Sequence, residues 1–138
     1  MQYNTITTKL RITESDIRRQ VMLKVLCYSR CTTCKKALKW LDENNISYDL
    51  RPIKEENPSY EELKKWYEMS GLPLKKFYNT SGMLYKSMEL KDKIPTMSEE
   101  EQLRLLATDG LLVKRPLVVG EDFVLLGFKE EDWAAKLK

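Results

Sequence analysis

The sequence predicts an α/β domain with a mixed sheet, in which a parallel strand-helix-strand unit is followed, after a helical insertion, by an antiparallel hairpin. Three observations lead there. LKVLCY, from Leu23 to Tyr28, is a short, largely apolar run that suits a buried central strand. A helical pattern follows it, and then ISYDLRPI, from Ile46 to Ile53, alternates as a second strand does. PLVVG and FVLLGF, between Pro116 and Phe128, are two β-branched and aromatic runs joined by Glu121-Asp122, which is the pattern of a hairpin.

Taken in chain order, residues 1–21 are polar and Thr-rich with no sustained apolar period, so a loosely ordered leader is expected before a domain over residues 22–138. After the first strand, Thr32 and Thr33 are candidate N-caps, Leu38 and Leu41 recur at helical spacing, and Asn44 and Asn45 end the pattern. A strand returning after one helix lies parallel to the first by a right-handed crossover. Asn57-Pro58 opens the next helix, with Ser59 and Glu62 in capping-box spacing, Leu63, Trp66 and Tyr67 along one face, and Gly71 as the stop. Ser98 and Glu101 repeat the box before Leu103, Leu105 and Leu106, with an end expected near Asp109-Gly110. The stretch LPLKKFYNTSGMLYKSMELKDKIPT between these helices reads as irregular and short helical pieces. KEEDWAAKL closes the chain as an amphipathic helix that packs Trp133 and Leu137. Helices on both faces of a mixed sheet, in this order, give the thioredoxin order with extra helices between its halves.

A chain of 138 residues with 42% apolar content suits one domain and leaves no room for two. Its 24 basic and 21 acidic residues are interspersed, for a net charge of +3, so no direct nucleic-acid binding is expected. No run approaches the roughly 18 apolar residues of a membrane span, and the start lacks the apolar core of a signal peptide. A cytoplasmic protein without a membrane partner is expected.

The chemistry is concentrated in Cys27, Cys31 and Cys34, the only cysteines, in a chain with no histidine. A disulfide framework would spread an even number of cysteines along the chain, so this cluster points to reactive thiols. Cys31-Thr32-Thr33-Cys34 is a C-x-x-C at a strand-to-helix junction. There the helix N-terminus, with Arg30, Lys35 and Lys36 nearby, is expected to lower the pKa of Cys31 and make it the nucleophile. Cys34, one turn into the helix, is placed to resolve a mixed disulfide. Two metal readings fit less well. The C-x3-C-x2-C spacing of iron–sulfur radical enzymes belongs to barrels that take around 250 residues, and structural zinc needs a fourth ligand that the cluster lacks. Cys27 lies inside the strand and reads as a buried small hydrophobe. Arg115-Pro116 stands at the entry to the hairpin, a position that tolerates proline and where a cis bond can occur; in a thioredoxin-like order it lies opposite the cysteine loop.

CYSRCTTCKKALKWLDENN, GLPLKKFYNTSG, LVKRPLVVG and VLLGFKEEDW, in this order, closely resemble the arsenate reductases of the glutaredoxin-linked (ArsC) type and their Spx-like regulatory relatives. The resemblance spans Met22 to Lys138 and implies a thioredoxin-like fold with a helical insertion over about residues 58–108. It implies that Cys31 is the catalytic cysteine, that Arg115 contacts an anion or the reactive sulfur, and that Pro116 is cis. It places Asn79 toward the cysteine, and Thr32 and Thr33 complete the active loop. The family's reductases carry three arginines for the oxyanion; here only Arg115 aligns, and the other two positions read Asn79 and Gly127. Each missing charge-assisted donor is worth roughly 1.5–3 kcal/mol, so weak or no arsenate reductase activity is expected. The implied function is a thiol-disulfide oxidoreductase acting on an oxidised thiol or an oxyanion, with no bound cofactor and with glutathione, glutaredoxin or thioredoxin as reductant. The alternative is an Spx-like redox-sensing transcriptional regulator, whose disulfide alters a surface that binds the RNA polymerase α subunit.

Overall fold

The computed structural model describes residues 23–138; the leader expected over residues 1–21 lies outside them. Strand β1 (Leu23–Cys27), helix α1 (Thr32–Glu43) and strand β2 (Tyr48–Pro52) form the expected parallel unit, with Leu23 opposite Tyr48 and Cys27 opposite Pro52. Strand β3 (Leu117–Val119) runs antiparallel to β1, and β4 (Val124–Leu126) runs antiparallel to β3, so the sheet order is β2-β1-β3-β4. The hairpin connection is closed by the Gly120 N–H donating to the Phe123 carbonyl at 2.9 Å. The arrangement is thioredoxin-like, as the element order predicts.

Because β1 lies inside the sheet, its side chains are buried on both faces, and alternation decides which core each one joins. Val25 and Cys27 point into a cluster with Trp40 and Leu41 of α1 and Trp133 of the closing helix α6 (Glu130–Leu137). Leu26 points the other way, among Leu63 and Trp66 of α2 (Tyr60–Ser70), Phe77, and Leu103 and Leu106. Cys27 is therefore fixed, by strand register, on the same side as α1. That placement matters for the site.

Local signals position the insertion. Ser59 and Glu62 form a reciprocal capping box on α2, and Gly71 ends that helix in the left-handed conformation at φ 67°. In the insertion, α3 (Met83–Ser87) and α4 (Leu90–Lys93) are single turns, and α5 (Glu99–Leu106) starts on the second box, Ser98 with Glu101. Helix α5 stops at Leu106, earlier than the expected end near Asp109-Gly110. The physical reason is Asp109, whose carboxylate accepts from the Leu111 N–H at 2.9 Å and starts a separate 3-10 turn, Gly110–Leu112.

One ion pair ties β2 to α2. Arg51 donates to both carboxylate oxygens of Glu62 at 2.7 and 2.9 Å and to the Glu56 carbonyl at 2.8 Å. The guanidinium holds the Glu62 carboxyl at about 2, against an ordinary value of 4.5. A depressed carboxylate contributes stability above its unfolded value and loses it as pH falls through the folded one. Arg51→Met is thus expected to destabilise the fold by about 1–2 kcal/mol at neutral pH, between the values for exposed and desolvated pairs. Urea unfolding from pH 7 down to pH 2 checks it: the wild type loses this increment below about pH 4.5, and the variant has none to lose.

Candidate active site

The loop between β1 and α1 sets the site. The Cys31 N–H donates to the Tyr28 carbonyl at 2.9 Å, which turns the chain sharply at the strand end. Cys31 itself is the N-cap of α1: its backbone is extended, and its Sγ accepts from the Cys34 N–H at 3.4 Å. This corrects the expectation that Thr32 or Thr33 caps the helix. Both threonines are inside the first turn, exposed, with the cap position taken by a sulfur. The Cys31 sulfur thereby sits at the positive end of the helix dipole and receives one of the helix's unpaired N–H groups.

Cys31 is half-buried and lines a cleft of about 500 Å³, together with Thr33, Asn79, Lys114, Arg115 and Gly127. Asn79 reaches this cleft because its segment is bound to the chain just before the hairpin. The Asn79 N–H donates to the Leu112 carbonyl at 2.8 Å, and the Lys114 N–H donates to the Phe77 carbonyl at 2.7 Å. Asn79, Gly127 and Arg115, the three positions singled out by the resemblance, thus surround the same space as Cys31. Thr32 is exposed outside the lining, and Pro116 is buried beneath it, joined to Arg115 by a cis peptide bond. Gly127 adopts φ 74°, and a side-chain Cβ there would come within 3.2 Å of Lys114 Cε. An arginine at that position would be strained in its backbone and crowded by Lys114.

Arg115 is held over the Tyr28 ring, with its guanidinium carbon 5.0 Å from the ring centre. One terminal nitrogen donates to the Leu111 carbonyl at 3.5 Å, and the buried Nε has no partner among the described residues. A cation fixed by its neighbours, with donor capacity unspent beside a sulfur, is suited to a thiolate or another anion. Lys114 and Lys129 add positive charge to the cleft. The sequence reading missed both lysines and Tyr28. Lys114 adjoins Arg115 and Tyr28 lies inside the cysteine loop, but nothing in one sequence says that these neighbours face inward.

Cys34 stands behind Cys31, buried and outside the cleft lining. Cys27, also buried, belongs to the same cluster. The neighbouring Cys27 thiol, the Tyr28 backbone, Cys31 and the charge of Arg115 together outweigh burial and lower the pKa of the Cys34 thiol. The Cys27 thiol is pushed up by the adjacent Cys34, by burial and by the charge of the neighbouring sulfurs. No group of three or more His, Cys, Asp or Glu able to hold a metal ion occurs among the described residues, and Cys27, Cys31 and Cys34 form no disulfide with one another.

Comparison with known proteins agrees with this fold. The chain is similar to a crystal structure of a putative ArsC family related protein from Bacteroides fragilis, at 61% identity and a TM-score of 0.81, covering 84% of this chain and 97% of that one. It is 54% identical over 111 residues to the uncharacterized protein YusI of Bacillus subtilis (strain 168), covering 78% of this chain and 94% of YusI. It is also 28% identical over 112 residues to the global transcriptional regulator Spx of Enterococcus faecalis (strain ATCC 700802 / V583), covering 80% of this chain and 83% of that protein. The ArsC family profile matches residues 26–136, from within β1 to within α6, and the chain belongs to the ArsC family.

Proposed function

We propose that this chain is a thiol-disulfide oxidoreductase of the cytoplasm, with Cys31 as nucleophile, Cys34 as resolving thiol and Arg115 as the cation beside the reacting sulfurs. The observation that carries this reading is the division of the pair. Cys31 opens on a cationic cleft, while Cys34 lies behind it with its ionisation favoured. In the first step the Cys31 thiolate attacks one sulfur of a substrate disulfide. A new S–S bond forms to Cys31, and the other substrate sulfur leaves as a thiolate. In the second step the Cys34 thiolate attacks the Cys31 sulfur, the first substrate sulfur leaves as a thiolate, and the pair remains as an internal disulfide. Two electrons have passed to the substrate. Glutathione, glutaredoxin or thioredoxin returns them by the same exchange and restores the dithiol.

Arsenate is a poor candidate substrate, since Arg115 alone occupies the family's three oxyanion positions. A disulfide needs no such cage. The test is turnover of a glutathionylated peptide, with either glutathione or thioredoxin and its reductase recycling the protein. Steady deglutathionylation in at least one system is expected, and arsenate turnover at least about a hundredfold below that of a reductase with all three arginines, from the loss of two charge-assisted donors. Absence of deglutathionylation with either reductant overturns the reading.

The similarity to Spx supports a second reading, a redox-sensing regulator in which the Cys31–Cys34 disulfide changes a surface that binds the RNA polymerase α subunit. An α-subunit pull-down with oxidised and reduced protein separates the two. State-dependent capture without turnover selects the regulator, and turnover without capture selects the enzyme.

A further inference from the structure

Strand β4 ends the sheet, and its outer edge is open. The bonded pairs of the hairpin are fixed at both ends: the Gly127 N–H donates to the Pro116 carbonyl and the Gly120 N–H to the Phe123 carbonyl, each at 2.9 Å. Bonded and non-bonded pairs alternate in an antiparallel ladder, so Val118 with Leu125 is the bonded pair between them. At Val124 and Leu126 the backbone N–H and C=O groups therefore point away from β3, and no described residue pairs with them. Edges are commonly blunted by charge within the strand itself, yet β4 reads Val124-Leu125-Leu126.

A groove of about 920 Å³ lies along this edge, with β4 as its floor. One wall, on the α2 side, holds Leu72, Lys75 and Lys76; the other, on the α6 side, holds Lys129, Asp132 and Lys136. Helices α2 and α6 pack on opposite faces of the sheet, so a groove lined from both sides straddles the edge. The lining carries five lysines against two aspartates, in a chain whose 24 basic and 21 acidic residues nearly balance. Among the described residues none of these lysines forms an ion pair. At one end the groove runs into the Cys31 cleft, with which it shares Lys114, Leu126, Gly127 and Lys129.

We propose that this groove binds an extended acidic segment of a substrate protein, which adds as a further strand to the β4 edge while the disulfide beside it reaches Cys31. The backbone groups of Val124 and Leu126 supply the pairing, and the lysines select the charge. This deepens the oxidoreductase reading by naming a substrate class, a protein disulfide flanked by acidic residues, and it rests on that reading for the chemistry at Cys31. Successive side chains of an added strand point to opposite walls. Lys75 and Lys76 face no carboxylate in the lining of their own wall, whereas Asp132 offsets part of the charge of Lys129 and Lys136. Glutamate at alternate positions is therefore the matching pattern.

The test reads binding and turnover separately. Fluorescence anisotropy follows the full chain, as the dithiol, with a labelled peptide of about eight residues that alternates glutamate with threonine. At low salt this peptide should bind at least about tenfold more tightly than its lysine counterpart, by a margin that shrinks as salt rises. Lys75→Glu combined with Lys76→Glu should weaken it by about tenfold. Backbone N-methylation separates strand addition from a mere cationic patch, because an added strand uses only every second N–H. Methyl groups on one alternate set of amides should cost about tenfold in affinity, and those on the other set should cost little. The same sequences ending in a glutathionylated cysteine, placed at either terminus, are then compared in turnover. For at least one terminus kcat/KM should favour glutamate over lysine by about tenfold. Equal affinity for the glutamate and lysine peptides, or indifference to both methylation patterns, overturns the inference, and turnover of the glutathionylated peptides then leaves the oxidoreductase reading standing. Pattern-selective binding without any turnover overturns that reading and the substrate assignment with it, while the groove stands as a peptide site. Sedimentation completes the test: a dimer across β4 that the peptide does not displace assigns the edge to a second copy of this chain and overturns the inference.

Discussion

Cys31→Ser is expected to lower deglutathionylation by at least about a thousandfold, to the uncatalysed background, while leaving the fold intact. The size follows from position rather than from the residue type alone. Of the three sulfurs, only that of Cys31 lines the cleft; Cys27 and Cys34 are buried behind it. No other thiol can replace it, because access to the substrate disulfide is lost along with the nucleophile. Serine preserves the local structure, since an Oγ at the N-cap accepts from the Cys34 N–H at least as well as sulfur does. The loss is thus chemical. Circular dichroism and urea unfolding should give the wild-type result within about 0.5 kcal/mol, and an activity loss accompanied by unfolding would not support this account.

Gly110→Ala is expected to be the most damaging small substitution for stability. A Cβ at this position would lie 1.8 Å from the Ile53 carbonyl oxygen and 2.7 Å from its carbon. Both atoms belong to backbone at the end of β2, so no side chain can swing aside and the 3-10 turn must lift off the sheet. Overpacking of this kind, against main chain, costs about 3–5 kcal/mol, a large share of the 5–15 kcal/mol that holds a domain together. The consequence reaches the site. Leu112 and Lys114 carry the hydrogen bonds that tie Asn79 and Phe77 to the segment leading to Arg115. Thermal unfolding should show the loss directly, and residual folded protein should react more slowly through Cys31. A variant as stable as wild type would mean that this turn is not held against β2.

Most of the frame was legible because its signals are local. The two capping boxes, the left-handed stop at Gly71, the hairpin and the buried Trp133 of the closing helix each follow from a few adjacent residues. The C-x-x-C was legible in the same way. What escaped the sequence depends on contacts across the fold. Propensity favours threonine over cysteine as an N-cap, so Thr32 and Thr33 drew attention that belonged to Cys31, whose sulfur the tight turn after Tyr28 carries to the cap position. Cys27 packs in the core on the α1 face, as its place inside the strand pattern predicts. The pairing of Tyr78 with Val113, which brings Asn79 to the cleft, joins residues far apart along the chain with no pattern in common. The end of α5 at Leu106 is hidden from the sequence for a related reason. The helical spacing of Leu103 and Leu106 continues naturally into Thr108, and only the side chain of Asp109 shows that a new turn has begun.

The central claim is that the substrate disulfide meets Cys31 and that Cys34 then displaces it. Cys34→Ser stops the sequence after the first step, so the mixed disulfide should accumulate. The decisive measurement is intact-mass and peptide-mapping spectrometry of Cys34→Ser after one equivalent of a glutathionylated peptide. A single glutathione or peptide adduct on Cys31, stable in the variant and transient in wild type, is the predicted result. An adduct on Cys27, or none while the wild type still turns over, would contradict the account.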